Sequence, residues 1–196
     1  MKTTLLILSL LGCPPADLEY DDSDIATPVE EFVPTEFGVI EAEDCDQKAI
    51  GSSVCDIVLY DQNGDVWRLY DLKGKVIILD FSTAWCGPCQ NAGMYTQKIQ
   101  DDYGDDIVFA TFLIEGFTYG VTPTEEEMNS WVVDHTVTTA PVLYASRDYV
   151  MDSAGITGYL VGGFPTYVFL NKELKIHTGA VGFNEQYVRT TIEELL

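Results

Sequence analysis

Residues 76–90 read Val-Ile-Ile-Leu-Asp-Phe-Ser-Thr-Ala-Trp-Cys-Gly-Pro-Cys-Gln, and the fold turns on them. Residues 76–81 are apolar on both alternating faces except at Asp80, the pattern of a strand covered on both sides of a sheet. Beyond the cysteines, Ala92, Tyr95, Ile99 and Tyr103 recur at helical spacing and Gly104 follows as a stop, which predicts a helix over 88–103. Cys86 and Cys89 therefore sit where a buried strand hands over to a helix. Three uses are open to such a pair: a working redox couple, half of a metal site, or a structural staple.

Three-residue spacing on a first helical turn puts both side chains on one face, within the roughly 5.5 Å Cα separation that a disulfide favours. At a helix N-terminus Cys86 would meet unpaired N–H groups and the positive end of the dipole, which favour thiolate, while Cys89 lies deeper and is shielded. The two sulfurs then take different jobs. Cys86 attacks and forms a mixed disulfide; Cys89 resolves it.

The rest of the chain is punctuated just as clearly. Residues 57–60 and 66–69 flank Asn63-Gly64, a tight-turn pair, and predict a β-hairpin. Residues 107–114 read as a second buried strand. Thr122-Pro-Thr-Glu125 combines a capping-box pattern with proline at the first helical position, and Met128, Trp131, Val132 and His135 form the inward stripe of a helix ending near Asp134. A short strand over 141–144, a short helix over 148–154 and a hairpin of 166–170 with 174–181 follow. A last helix starts from Asn184 as cap and buries Tyr187, Val188, Thr191, Ile192 and Leu195. Alternating strands and helices closing with a hairpin and a helix describe an α/β fold, a central mixed sheet with helices on both faces and an added N-terminal β-hairpin.

Of the chain's 196 residues, 10 are Lys or Arg and 32 are Asp or Glu, for a net charge of −22. Such a balance opposes the phosphate neutralisation that nucleic-acid binding requires, so nucleic acid is excluded as a partner, and an anionic membrane surface repels the chain. Membrane attachment would have to be inserted or covalent. Residues 4–11 form an apolar run too short to span a bilayer, after the positive start Met1-Lys2, and read as a secretory h-region. Leu10-Leu11-Gly12-Cys13 resembles the lipobox of bacterial lipoproteins, which implies a signal peptide over 1–12 and lipidation of Cys13; an ordinary cleaved signal is the alternative. Residues 13–46, acidic and interrupted by Pro14, Pro15, Pro28 and Pro34, read as a solvated tether, with a globular domain over 47–196.

Ile78-Leu-Asp-Phe81 followed by Trp85-Cys-Gly-Pro-Cys89 resembles the active-site strand and helix of the thioredoxin superfamily. Gly163-Phe-Pro-Thr166 is similar to that family's cis-proline loop. The N-terminal hairpin, the lipoprotein-like start and the insertion around 116–122 make the chain more similar to the membrane-anchored TlpA/ResA-type thioredoxins than to the small cytosolic ones. The resemblance implies a thiol-disulfide oxidoreductase with Cys86 and Cys89 as the catalytic pair and Asp80 as the proton acceptor of the resolving cysteine. Burial of a carboxyl in an apolar strand would raise its pKa toward that task; an Asp80 pointing to solvent at the strand end is the alternative. The resemblance also implies substrate contacts at Trp85, Gly87, Pro88, Phe164 and Pro165, with a cis bond before Pro165 that sequence alone would not suggest.

Two departures accompany the resemblance. Ser82 stands where many thioredoxins carry a second tryptophan, which is expected to make the rim of the site more polar. Glu115 resembles the acidic residue of cytochrome-maturation thioredoxins and is a candidate for tuning the cysteines, with a solvated strand-end glutamate as the ordinary alternative.

With Cys13 lipidated and Cys86 and Cys89 committed to redox work, Cys45 and Cys55 are left as a pair, expected as a structural disulfide in an exported compartment, or else as free thiols. No cofactor is implied. No metal site is expected, because His135 and His177, the only histidines, lie far from the cysteines in sequence. The expectation is an exported, lipid-anchored oxidoreductase on the periplasmic or cell-surface side, acting on protein thiols and disulfides. Gly87-Pro88 matches reducing thioredoxins, and that direction calls for an electron-donating membrane protein. A copper-binding protein or metallochaperone on the same fold, using the two thiolates as soft ligands, is the competing reading.

Overall fold

The computed structural model describes residues 38–40, 44–151 and 158–196. The proposed signal peptide, Cys13, most of the tether and the end of the short helix predicted over 148–154 fall outside them. Among the described residues no helix is long and apolar enough to cross a membrane.

Two sheets organise the domain. A three-stranded antiparallel sheet, in order, consists of β1 (Gly38–Ile40), β2 (Asp56–Tyr60) and β3 (Val66–Arg68). Its hairpin turns at Gly64, whose φ of 82° lies in the left-handed region that glycine tolerates. The expected hairpin is present, but a third strand, β1, lies inside the segment read as tether. Its residues gain ladder hydrogen bonds by pairing with β2, an edge that sequence pattern around the prolines does not announce.

The main sheet has the order β6-β5-β4-β7-β8. At its centre, β4 (Val76–Thr83) runs parallel to β5 (Ile107–Glu115) and antiparallel to β7 (Thr166–Leu170). The edges are β6 (Val142–Tyr144), parallel to β5, and β8 (Ile176–Val181), antiparallel to β7. Every residue of β4 and β5 is buried, as their unbroken apolar runs require.

The period-2 alternation assigns the two faces. Val76 and Ile78 pack with Ile99, Phe109, Val188 and Ile192, under α1 (Gly87–Tyr103) and α4 (Glu185–Leu195). Leu113 and Val142 continue this face under Met128 and Trp131 of α2 (Glu125–Asp134). Because β4, β5 and β6 step one way across the sheet, the two connecting helices fall on the same side. Ile77, Leu79 and Phe81 face the other way, onto Ile57 and Leu59 of the small sheet and Val150 of α3 (Arg147–Val150). Helices thus lie on both faces, with the hairpin sheet as an outer layer.

Two helix starts differ in detail from expectation. α1 begins at Gly87 with Cys86 as its N-cap. The capping box of α2 sits two residues later than the sequence pattern suggested: Thr124 is the N-cap and Glu127 the returning carboxylate. Glu127 also accepts from the Phe117 N–H at 2.7 Å, so in this register its carboxylate serves a backbone donor of the preceding loop as well as the cap.

Candidate active site

β4 ends at Thr83, and the chain turns immediately into α1. The Cys86 N–H donates to the Thr83 carbonyl at 3.3 Å, and Gln90 reaches back to donate to the Ala84 carbonyl at 2.7 Å. The site therefore lies at the carboxyl end of the central strand, where open α/β sheets place their ligands. Cys86 and Cys89 are joined as a disulfide with Cα atoms 5.2 Å apart. Cys86 is 5% exposed and Cys89 is fully buried, so Cys86 keeps a slight access to solvent that Cys89 lacks. As N-cap, Cys86 Sγ accepts from the Cys89 N–H at 3.3 Å, a contact that supports negative charge on that sulfur once the bond is reduced.

The loop before β7 forms the opposite wall. Phe164–Pro165 is a cis peptide bond, and Cys86 Sγ lies 3.4 Å from the Phe164 carbonyl oxygen. The loop is tied to its neighbours: the Thr166 hydroxyl donates to the Gly163 carbonyl at 2.6 Å, and the Gly182 N–H donates to the Pro165 carbonyl at 2.8 Å. Gly87 and Pro88 are exposed, Phe164 is half-buried and Pro165 is buried.

Trp85 is 39% exposed and anchored at its polar end. Its Nε1–H donates to Glu115 at 2.6 Å. Its ring meets Phe164 edge-on at 6.1 Å and Tyr119 at 5.4 Å. Glu115, which could have been a solvated strand-end residue, is 1% exposed and forms an ion pair with Arg147. Burial by itself would raise the Glu115 carboxyl, but hydrogen bonds from Arg147, the Gly120 N–H and Trp85, with the charge of Arg147, hold it below the ordinary carboxylate range. The Arg147 guanidinium also lies 5.5 Å from the Tyr119 and Phe164 ring centroids, within cation–π range. Sequence reasoning missed Arg147 and Tyr119. Arg147 opens a four-residue helix far from the cysteines in sequence, and its one signal was being a rare cation in an acidic chain.

Asp80 is fully buried. Its alternation places it with Ile78 on the face that α1 covers, the helix that carries Cys89. Ser82 donates to Asp80 Oδ1 at 2.7 Å and Thr111 to Oδ2 at 3.3 Å. Burial pushes the Asp80 carboxyl up to about 7, against the downward pull of the two hydroxyls. This corrects the expectation for Ser82. It does not make the rim polar, because two residues along a strand returns to the same face, and Ser82 is as fully buried as Asp80.

His135, distant in sequence, packs directly on α1. Its Nε2 lies 3.1 Å from the Gln90 carbonyl and its Nδ1 2.8 Å from the Trp131 carbonyl, so both nitrogens face backbone oxygens. His135, far from the cysteines in sequence, thus lies against the helix that carries Cys89, with both ring nitrogens occupied by backbone carbonyls. Cys45 and Cys55 are bonded, Cα to Cα 4.8 Å, at the entry to β2 and away from the redox pair.

No protein-family model matches the chain. It is 28% identical to the thiol-disulfide oxidoreductase ResA of Geobacillus thermodenitrificans strain NG80-2 over 129 residues, 65% of this chain and 67% of that protein. It is 27% identical to the thioredoxin-like protein YneN of Bacillus subtilis strain 168 over 135 residues, 67% of this chain and 72% of that protein. Among solved structures, the pneumococcal exposed lipoprotein thioredoxin Etrx1 from Streptococcus pneumoniae strain TIGR4 matches with a TM-score of 0.59 at 29% identity, over 72% of this chain and 100% of that one. With the thioredoxin fold, a disulfide-bonded Cys86–Cys89 pair at the end of its central strand and these likenesses, the chain is a thioredoxin-like thiol-disulfide oxidoreductase.

Proposed function

We propose that the protein works outside the cytoplasm, held to a membrane by a lipid on Cys13, as a reductant of disulfides in other proteins. The observation that supports this best is the asymmetry of the pair. Cys86 caps a helix opposite the Phe164 carbonyl and keeps slight solvent access, while Cys89 is sealed on the helix that covers Asp80. The Cys86 thiolate attacks one sulfur of a substrate disulfide, the substrate S–S bond breaks, and one substrate thiolate leaves. Asp80 then takes the Cys89 proton, and the Cys89 thiolate attacks Cys86 Sγ. The mixed disulfide breaks, the Cys86–Cys89 bond forms and the second substrate thiolate departs. Two electrons have passed to the substrate, and a membrane donor must return them. Phe164 and cis-Pro165 offer backbone to an extended substrate segment, and Trp85, fixed by Glu115, shields the sulfurs on one side. The likeness to relatives named ResA and to an exposed lipoprotein thioredoxin supports the location.

Cys89→Ala removes the resolving thiol, so the variant is expected to accumulate mixed disulfides with partner proteins through Cys86, seen as reductant-sensitive adducts on gels. A Cys89→Ala protein that traps nothing, beside a wild type that holds copper tightly, would overturn the reading. The direction is tested by the reduction potential of the Cys86–Cys89 couple. A reductant is expected nearer the about −270 mV of thioredoxin than the about −120 mV of a strong oxidant.

A further inference from the structure

We infer that Ser82 is a positioning residue of the redox reaction: its buried hydroxyl favours the ionised form of the Asp80 carboxyl against burial and so sets the pH at which Asp80 can take the proton of Cys89. The inference rests on the reading of Asp80 as the proton acceptor and adds the device that keeps it competent.

The geometry is specific. Asp80 and Ser82 are both fully buried, two residues apart on one face of β4, and the Ser82 hydroxyl meets Oδ1 at 2.7 Å. Thr111, paired with Asp80 across the β4–β5 ladder, meets Oδ2 at 3.3 Å, a longer and weaker bond. A carboxylate accepts both hydroxyl protons. A neutral carboxyl accepts well only at its carbonyl oxygen, and its protonated oxygen is a poor acceptor with a proton of its own to place, so one of the two contacts is weakened or reversed in a buried site. The pair of donors therefore favours the charged form, and Ser82 carries the larger share.

The other groups facing Asp80 do not supply this stabilisation. From β7, Tyr167 is its register partner; the Tyr167 hydroxyl is buried without a hydrogen-bond partner, and its pKa is raised by burial first and by the Asp80 charge second. From α1, the redox cysteines form a disulfide. The influences resolved on Asp80 are burial, Ser82 and Thr111, with no cation among them. Without Ser82, only the longer Thr111 contact would oppose burial, leaving the carboxyl mostly protonated at neutral pH and unable to accept a proton.

A hydrogen bond to a charged group is worth enough to move a pKa by about one to two units. The test measures, against pH, the rate at which a preformed mixed disulfide between Cys86 and a small peptide resolves to the Cys86–Cys89 disulfide. Ser82→Ala is expected to move the Asp80 inflection up by about one to two pH units and to slow resolution at pH 7 by roughly tenfold, while Ser82→Thr, which keeps the hydroxyl, restores both. A ¹³C titration of the Asp80 carboxyl in the oxidised protein should show the same displacement without turnover, and is read on folded protein even if Ser82→Ala lowers activity for other reasons. An unmoved Asp80 titration in Ser82→Ala overturns the proposal. Asp80→Asn separates the two ideas. Should the wild-type inflection persist in Asp80→Asn, the reading of Asp80 as acceptor fails; should it vanish there yet stay unmoved in Ser82→Ala, only the role of Ser82 fails.

Discussion

Asp80, the proton acceptor of the proposed mechanism, carries a cost to the fold. Its ordinary pKa of 3.8 becomes about 7 in the folded protein. As pH rises from about 4 to about 7 the unfolded chain gives up this proton while the native protein keeps it, so stability falls across that window and levels off above it. The shift of about three units corresponds to roughly 4 kcal/mol, less whatever residual burial the unfolded state retains. Asp80→Asn is therefore expected to gain several kcal/mol relative to wild type between pH 4 and pH 8, measured by urea denaturation of the oxidised proteins at both values. The comparison between pH values cancels any fixed cost of the amide. An equal difference at pH 4 and pH 8 would show that Asp80 titrates in the folded protein as it does in water. A natural sequence that keeps such a destabilising carboxyl in a central strand points to chemistry, since an apolar residue there would fold better.

At the scale of elements, the contact between α1 and α2 decides how rigidly the redox pair is held. α1 carries Gly93 on its buried face, and a Cβ there would come within 2.5 Å of His135 Cδ2. The ring cannot step aside cheaply. It is held by contacts to the Gln90 and Trp131 carbonyls and lies 4.1 Å from the Trp131 ring, centroid to centroid. Gly93→Ala should gain about 1 kcal/mol in helix propensity but lose about 1–3 kcal/mol to overpacking and to displaced hydrogen bonds, so the variant is expected to be less stable than wild type. Thermal denaturation checks the sign, and a more stable Gly93→Ala would mean that the imidazole has room to move. The glycine is thus a packing device between helices, placed one turn beyond Cys89.

At the scale of the whole molecule, the strand-to-helix junction, the two buried central strands, the helices and the hairpins were legible because each depends on local periodicity and turn chemistry. Asn63-Gly64, the unbroken run from Val76 and the cap at Asn184 act within a few residues. The redox pair was legible for the same reason, since three-residue spacing on one helical turn needs no distant partner. What could not be read were the features that require two remote segments to meet. Arg147 reaches Glu115 because β6 lies beside β5 and delivers the following helix to the site; His135 touches α1 because successive crossovers share a face; β1 exists only because β2 offers it an edge. The sequence by itself determined the class of fold and the chemistry of Cys86 and Cys89, because local pattern and side-chain type suffice for both. Only the tertiary structure decided that Ser82 serves Asp80 under the helix and that Glu115 is a buried anchor for Trp85, because burial is settled by what packs on top of a strand, not by the strand's own residues.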